Sequence, residues 1–133
     1  MTETTVNVAA MQRRVEAWVR TRFGAANMDR RERAARLLEE AIELAQAEGM
    51  DEPEVQRLTG FVYAKPRGEP AQEAAGVGVG LLGWAAAADE NAWCLILHEV
   101  ARIESKPIAH FAARHKIKSD AGVAMKATKE PRS

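Results

Sequence analysis

The chain has 133 residues and a mass of 14.6 kDa, which corresponds to a single domain of ordinary size. Apolar residues make up 47% and charged residues 29%, a balance typical of a globular protein rather than a disordered one. Basic and acidic residues number 19 each, so general electrostatic attraction to nucleic acid is not expected. The one cysteine, Cys94, excludes an internal disulfide framework and fits a reducing, cytoplasmic location.

The chain carries no signal that predicts export or insertion into a membrane. No basic stretch followed by an apolar run opens it, which argues against a secretory signal. The longest apolar run, Ala74 to Ala88, has 15 residues, fewer than the roughly 20 that a membrane-spanning helix needs. We therefore expect one domain over residues 1–133 with no membrane partner, with flexible tails at 1–5 and 119–133.

The first two helices follow from apolar periodicity. Apolar side chains recur at spacings of three and four up to Val19 and predict an amphipathic helix that ends near Gly24. Asn27 or Asp29 can cap a second helix, because their side-chain oxygens accept hydrogen bonds from free backbone amides. Gly49 is expected to end that helix. Its predicted buried side consists of Ala34, Leu37, Leu38, Ala41, Ile42, Leu44 and Ala45.

Three further helices are marked by proline and asparagine. A short helix is predicted after Pro53, and it ends before the segment AKPRGEP (64–70), where two prolines and a glycine cannot continue a helix. Asn91 is expected to cap a helix that runs to Ile103. Pro107 begins or kinks a last helix that ends near residue 118.

The stretch 71–88 is ambiguous by its period alone. Its valines and glycines alternate, which is typical of a strand. The flanking segments QEAA and WAAAA are strong helix formers, and the run is too long for an ordinary strand. We therefore predict a helix here, which makes the fold class all-α.

The glycine motif, the three histidines and the cysteine in the second half of the chain are expected to have structural roles. Residues 78–83, GVGLLG, match G-x-G-x-x-G, but no strand precedes them as a dinucleotide site would require. The glycines are expected instead to let two helices approach, within the chain or across a dimer axis. His98, His110 and His115 have no zinc-site spacing, and Cys94 is expected to be a buried, unreactive thiol.

The second helix carries an acidic cluster, Glu39, Glu40 and Glu43, within LLEEAIEL. Residues four apart share a helix face, so Glu39 and Glu43 lie side by side with Glu40 flanking them. Ala35, Leu44 and Ala47 leave the glutamates without a cation at those neighbouring positions. Such carboxylates can bind a hard divalent cation, or they can form a solvated acidic edge.

Three segments taken in order carry a family resemblance: RLLEEAIELAQAEG (36–49), VYAKPRGEPAQEAAGV (62–77) and HEVARI (98–103), with the basic stretch RHKIK (114–118). This order resembles the MazG-like all-α NTP pyrophosphatase family, in its phage and bacterial branch, over residues 12–118. The resemblance implies a bundle of about four to five helices that a partner subunit completes. It thus implies a homo-oligomer, either a dimer or a tetramer.

The resemblance also implies an activity and its metal. Glu39, Glu40, Glu43 and Glu73 would bind Mg²⁺, with Mn²⁺ as a substitute, and a nucleoside or deoxynucleoside triphosphate would be hydrolysed to the monophosphate and pyrophosphate. Glu40 or Glu43 would be the general base. The wider family has an acid where this chain has Gly76; whether Asn91 or Glu99 replaces it stays open at this point.

Substrate contacts and an alternative function complete the predictions. Lys65 and Arg67 can clamp the distal phosphates, or they are solvated loop cations. Tyr63, Asn91 and Arg102 are further candidates for contacts with the nucleotide. The expected role is house-cleaning or control of nucleotide pools. The alternative is a catalytically silent helical module that binds a nucleotide or a protein.

Overall fold

A computed structural model describes residues 7–125, and within that range the protein is all-α, with six α-helices and no strand. The helices are α1 (Val8–Phe23), α2 (Arg30–Ala47), α3 (Glu52–Tyr63), α4 (Pro70–Ala87), α5 (Ala92–Glu104) and α6 (Ile108–Asp120), and a 3-10 turn covers Ala25–Asn27. The predicted all-α class and the helical interpretation of 71–88 are confirmed. No helix of this part of the chain is long and apolar enough to cross a membrane. The predicted tail at 1–5 and the part 126–133 of the tail predicted over 119–133 lie outside the described residues.

Two of the predicted capping residues begin their helices as expected. The Asp29 side chain accepts a hydrogen bond from the Glu32 amide at 2.9 Å and caps α2. The Asn91 side chain accepts one from the Cys94 amide, also at 2.9 Å, and caps α5. Each cap satisfies a backbone donor that has no partner within its helix. The cap predicted for α5 is therefore confirmed, and of the two candidates for α2 the structure uses Asp29, whereas the Asn27 side chain donates to the carbonyl of Phe23.

Glycines and a capping box set other helix ends. Gly24 and Gly49 follow α1 and α2 with φ of 87° and 85°, in a left-handed region that glycine adopts without steric cost. Asp51 and Glu54 form a reciprocal capping box, so α3 begins at Glu52, ahead of Pro53. The last helix, α6, continues to Asp120, two residues beyond the predicted end.

Contacts divide the described residues into two units, and the first comprises 7–41 and 104–125. Here α1 packs on α6, and the buried apolar side chains are Met11, Val19 and Phe111. Trp18 stacks edge-on against Phe111 and Phe23, at centroid distances of 5.1 and 5.3 Å. Trp18, Phe23 and Phe111 therefore form an aromatic cluster that anchors the first unit.

The second unit, residues 42–103, contains the end of α2 together with α3, α4 and α5. Its buried residues are Ala85 on α4 and Ala92 and Val100 on α5. Helix α3 buries no residue. Within the described chain, the buried residues of this unit are thus two alanines and one valine, all with small side chains.

Two burial predictions are wrong. None of the seven residues assigned to the buried side of α2 is buried, and Leu37, Leu38 and Ile42 are exposed. Apolar spacing identifies a face that can be covered, but it does not supply the element that covers it. Cys94 is also exposed, because α5 buries the faces of Ala92 and Val100 and Cys94 lies away from both.

Candidate functional site

The three clustered glutamates lie on neighbouring turns of α2, as predicted. Glu40 and Glu43 are exposed, whereas Glu39 is half-buried. This arrangement places two carboxylates where an ion or a substrate can reach them. The third, Glu39, is already engaged by the protein.

Glu39 is paired with two cations of the first unit. One of its oxygens, Oε2, lies 2.5 Å from Nη1 of Arg36, one turn earlier on α2. The other, Oε1, lies 3.2 Å from Nζ of Lys118 on α6. Although no cation stands at positions 35, 44 and 47, Glu39 is therefore neutralised from two other positions. The cation at the third position before it, Arg36, is a signal that the sequence contained, since residues three apart also meet on a helix.

Arg36 is the centre of a wider polar network that sequence reasoning missed. Its Nε lies 3.3 Å from Oε1 of Glu32, and its Nη2 donates to the carbonyl of Val123. Glu32 is 1% exposed, and its Oε2 accepts a hydrogen bond from the backbone amide of Met125. A buried carboxylate requires such partners, because an unpaired charge away from water is costly.

This network changes the interpretation of the predicted C-terminal tail, 119–133. Ser119 and Asp120 belong to α6, and the amide of Val123 donates to the carbonyl of Lys118 at 2.9 Å. With Val123 and Met125 bonded to α2, residues 119–125 have defined places in the first unit. The polar composition of the segment did not reveal these contacts.

The Glu73 carboxylate contacts the loop that precedes α4. It lies in the first turn of α4, where the helix dipole favours an acid. Its carboxylate lies against Gly68, so close that a Cβ at position 68 would collide with it. Gly68 of the AKPRGEP segment therefore leaves room for the Glu73 carboxylate. We call Glu73 and the loop of residues 64–70 that it contacts the local element.

The loop residues predicted to bind phosphate are exposed. Lys65 places its Nζ 4.2 Å from the centroid of the Phe61 ring, a cation–π distance, and Arg67 is also exposed. Tyr63, at the end of α3, is 85% exposed. Two cations and an aromatic ring are thus presented to solvent within five residues.

Asn91 and Arg102 have structural partners on α5. The Asn91 side-chain oxygen is occupied by the α5 cap. Arg102 binds both oxygens of Glu99, with Nε–Oε2 at 2.9 Å and Nη2–Oε1 at 2.5 Å. The Arg102 hydrogen bond and charge lower the pKa of Glu99, because they favour the ionised form. As a substitute for the acid missing at Gly76, Glu99 would have to exchange this partner.

The side chains predicted to bind Mg²⁺ are therefore of a suitable chemical type, but the structure does not arrange them as a metal site within the described residues. Carboxylate oxygens are the ligands that Mg²⁺ prefers. Within residues 7–125, however, no group of three or more His, Cys, Asp or Glu side chains is placed to hold a metal ion. The set of Glu39, Glu40, Glu43 and Glu73 remains a prediction.

Comparison of the chain with protein-family models, with curated proteins and with solved structures finds no significant match. The family resemblance thus remains a hypothesis that rests on the motifs of this sequence.

Proposed function

We propose that the protein is a Mg²⁺-dependent hydrolase that converts a nucleoside or deoxynucleoside triphosphate to the monophosphate and pyrophosphate. The observation that carries this proposal is the contact of the Glu73 carboxylate with Gly68, a residue of the loop that also contains Lys65 and Arg67. An acid suited to a divalent cation thus contacts a loop whose cations are suited to phosphate. The exposed Glu40 and Glu43 on α2 supply further carboxylates.

In this proposal each charged group has a distinct task. Lys65 and Arg67 bind the distal phosphates and hold the leaving pyrophosphate. Glu40 or Glu43 accepts a proton from the water that attacks the α-phosphorus. Bound Mg²⁺ would offset the repulsion between the glutamates and the triphosphate and would polarise the phosphate oxygens. Tyr63 offers its exposed ring to the base.

The cations on Glu39 give the proposal a specific requirement. Arg36 and Lys118 compete with a divalent cation for the two oxygens of Glu39. A metal site that includes Glu39 therefore forms only if at least one of these ion pairs opens. The strength of those pairs sets part of the affinity for Mg²⁺.

A second candidate is the catalytically silent module that binds a nucleotide or a protein. The pairing of Glu39 and the pairing of Glu99 favour it, because both reduce the number of carboxylates ready for a metal. Nucleotide binding that is independent of divalent cations and leads to no turnover would identify this function.

The test is a panel of the common NTPs and dNTPs incubated with the protein and Mg²⁺ or Mn²⁺, with products separated by chromatography. We expect monophosphate and pyrophosphate in equal amounts from at least one nucleotide. Glu43→Gln should abolish the activity while keeping the fold, since the change removes one charge at an exposed position. Glu48→Gln is the matched control and should keep full activity.

Release of orthophosphate instead of pyrophosphate would overturn the proposed reaction. Absence of turnover on the whole panel by a folded sample would favour the silent module. A homo-oligomer, dimer or tetramer, is also part of this proposal.

A further inference from the structure

Charge is divided unevenly between the two units of the protein. The described residues of the first unit, 7–41 and 104–125, include twelve basic and seven acidic residues, a net charge of +5. Residues 42–103 of the second unit include four basic and ten acidic residues, a net charge of −6. The expectation that the chain does not attract nucleic acid rested on the total of zero, and that total describes neither unit by itself.

The acidic side chains of the first unit are mostly engaged by its own cations. Arg36 pairs with two of them, Glu32 and Glu39. Three more are held in exposed pairs, which are Arg14–Glu104, Arg20–Glu16 and Lys116–Asp120. Four exposed arginines take part in no ion pair of the described residues, and these are Arg13, Arg30, Arg31 and Arg114. The surplus of positive charge therefore lies at the surface, where an anion can reach it.

The ring of Phe23 lies between cations of α2 and α6. The guanidinium carbon of Arg33, on α2, is 5.9 Å from the centroid of this ring, and the ring centroid of His115, on α6, is 6.2 Å from it. The exposed arginines within one turn of Arg33 or His115 are Arg30, Arg31 and Arg114. Together with Arg33 they lie in one region of the first unit, and we call these four arginines the basic cluster.

The basic cluster is arranged at a cost to stability. Arg30, Arg31 and Arg33 lie in the first turn of α2, where the positive end of the helix dipole disfavours cations. Burial lowers the pKa of Arg33, because its charged guanidinium loses hydration. A bound phosphate would offset both costs, since its negative charge is favoured at the start of a helix and beside a guanidinium. Local costs of this kind, without compensation inside the protein, are typical of binding sites.

We propose that the first unit binds the phosphate backbone of double-stranded nucleic acid through the basic cluster. Nine of the twelve basic residues of this unit are arginines, whose planar group can bind two phosphate oxygens at once. A DNA duplex carries one negative charge per about 1.7 Å of its axis, so cations on two neighbouring helices can contact several phosphates together. This binding uses neither the carboxylates nor the loop of the proposed hydrolase site, so it does not depend on that activity.

The aromatic residues of the first unit favour a duplex over a single strand. Proteins that bind single strands stack the bases on exposed rings. Trp18 and Phe23 are half-buried and Phe111 is buried, so no tryptophan, tyrosine or phenylalanine ring is exposed in the described part of this unit. We therefore expect contacts with the backbone alone, and binding that is independent of base sequence.

The test is the binding of fluorescently labelled duplexes of about 20 base pairs, one of DNA and one of RNA, measured by anisotropy from about 50 to about 200 mM salt without divalent cations. We expect a micromolar dissociation constant at the lowest salt. The logarithm of the affinity should fall against the logarithm of the salt concentration with a slope of roughly −3 to −4, as four phosphate contacts predict. A preference for one duplex would identify DNA or RNA as the ligand, and equal affinity would show recognition of backbone charge alone. Absence of binding, a slope near zero, or tighter binding of a single strand of the same length would overturn the proposal.

Matched arginine substitutions test the location of the site. Arg31→Gln removes one exposed cation of the basic cluster, and it should weaken duplex binding roughly fivefold and reduce the salt slope by about one. Arg57→Gln is the control, because it removes an exposed cation of the second unit and changes the total charge by the same amount. It should change the affinity less than about twofold. Equal effects of the two variants would contradict binding by the first unit.

A second variant on another helix keeps the test decisive. Arg114→Gln, on α6, should reduce the salt slope by a similar amount. Because Arg31 opposes the helix dipole, Arg31→Gln should keep or raise the thermal midpoint, so that weaker binding does not result from unfolding. An acidic protein is the competing partner for exposed arginines. Displacement of the labelled duplex by poly-glutamate at a lower concentration of charge than by unlabelled duplex would identify that partner and overturn the proposal.

Discussion

Arg36 and Glu39 meet across one turn of α2, with 2.5 Å between Nη1 and Oε2. The second oxygen of Glu39 is held by Lys118 of α6 at 3.2 Å. The acidic cluster is thus partly neutralised from within the first unit. This pairing decides how readily Glu39 can serve a metal ion.

Removing the Lys118 charge should therefore raise the affinity for divalent cations. Lys118→Met leaves Glu39 with one cation instead of two. An ion pair whose two side chains are partly shielded from solvent contributes about 1 kcal/mol. Its removal should therefore raise the affinity for the divalent cation roughly fivefold. Binding of Mn²⁺ is measured by electron paramagnetic resonance. The matched control is Lys116→Met, since Lys116 pairs with Asp120 at 2.8 Å on the same helix. Equal effects of the two variants would show that Glu39 is not a metal ligand.

The buried carboxylate of Glu32 predicts a large effect on stability. Glu32→Ala removes the partner of Arg36 and of the Met125 amide, and breaking a buried ion pair costs about 3 kcal/mol. Glu16→Ala, which opens an exposed pair with Arg20, should cost less than about 0.5 kcal/mol. Urea unfolding at one fixed protein concentration measures both. Similar losses in the two variants would contradict a structural role for the Glu32 network.

Local signals allowed the helices to be predicted from the sequence. Asp29 and Asn91 act as caps through hydrogen bonds to residues three positions on, and Gly24 and Gly49 end helices through their own φ. These signals act within one turn of the backbone, so the residues themselves contain them. The helical interpretation of 71–88 likewise rested on its flanks and length.

The contacts around the candidate site could not be predicted in the same way. Lys118 reaches Glu39, and Met125 reaches Glu32, across some 80 to 90 residues of chain. No spacing rule links such pairs. For the same reason the apolar face of α2 was correctly seen as apolar and wrongly assigned as buried. Apolar periodicity identifies the apolar face of a helix, but it does not identify the element that packs against that face.

The pair on α5 predicts a pH effect. Arg102 lowers the pKa of Glu99, so their pairing contributes stability above the ordinary pKa of a glutamate and loses it as the pH falls through the lowered value. Both groups are exposed, and solvent screening limits the contribution to a few tenths of a kcal/mol. Arg102→Met should return the pKa of Glu99 towards its ordinary value. An NMR titration of the Glu99 side chain measures this, and an unchanged midpoint would show that the pair does not persist in solution.

The contact between Gly68 and Glu73 gives the sharpest test of the local element behind the proposed function. Gly68 has no positive φ, so the backbone accepts alanine there, but the three heavy atoms nearest to a new Cβ all belong to Glu73. Gly68→Ala should therefore displace the Glu73 carboxylate with little loss of stability, and it should lower Mn²⁺ affinity about as much as Glu73→Gln does. Gly60→Ala on α3, where a Cβ meets open space, is the control and should leave the affinity unchanged.

A double-mutant cycle decides whether Gly68 acts through Glu73. Once Glu73→Gln has removed the charge, Gly68→Ala has no metal-binding carboxylate left to displace, and its effect on Mn²⁺ affinity should disappear. Additive losses would mean that Gly68 acts by another route, for example by changing the course of the loop of Lys65 and Arg67. In that case the contact between Gly68 and Glu73 would have no effect on metal binding. The proposal that a metal ligand and the phosphate-binding loop act together would then lose its structural basis.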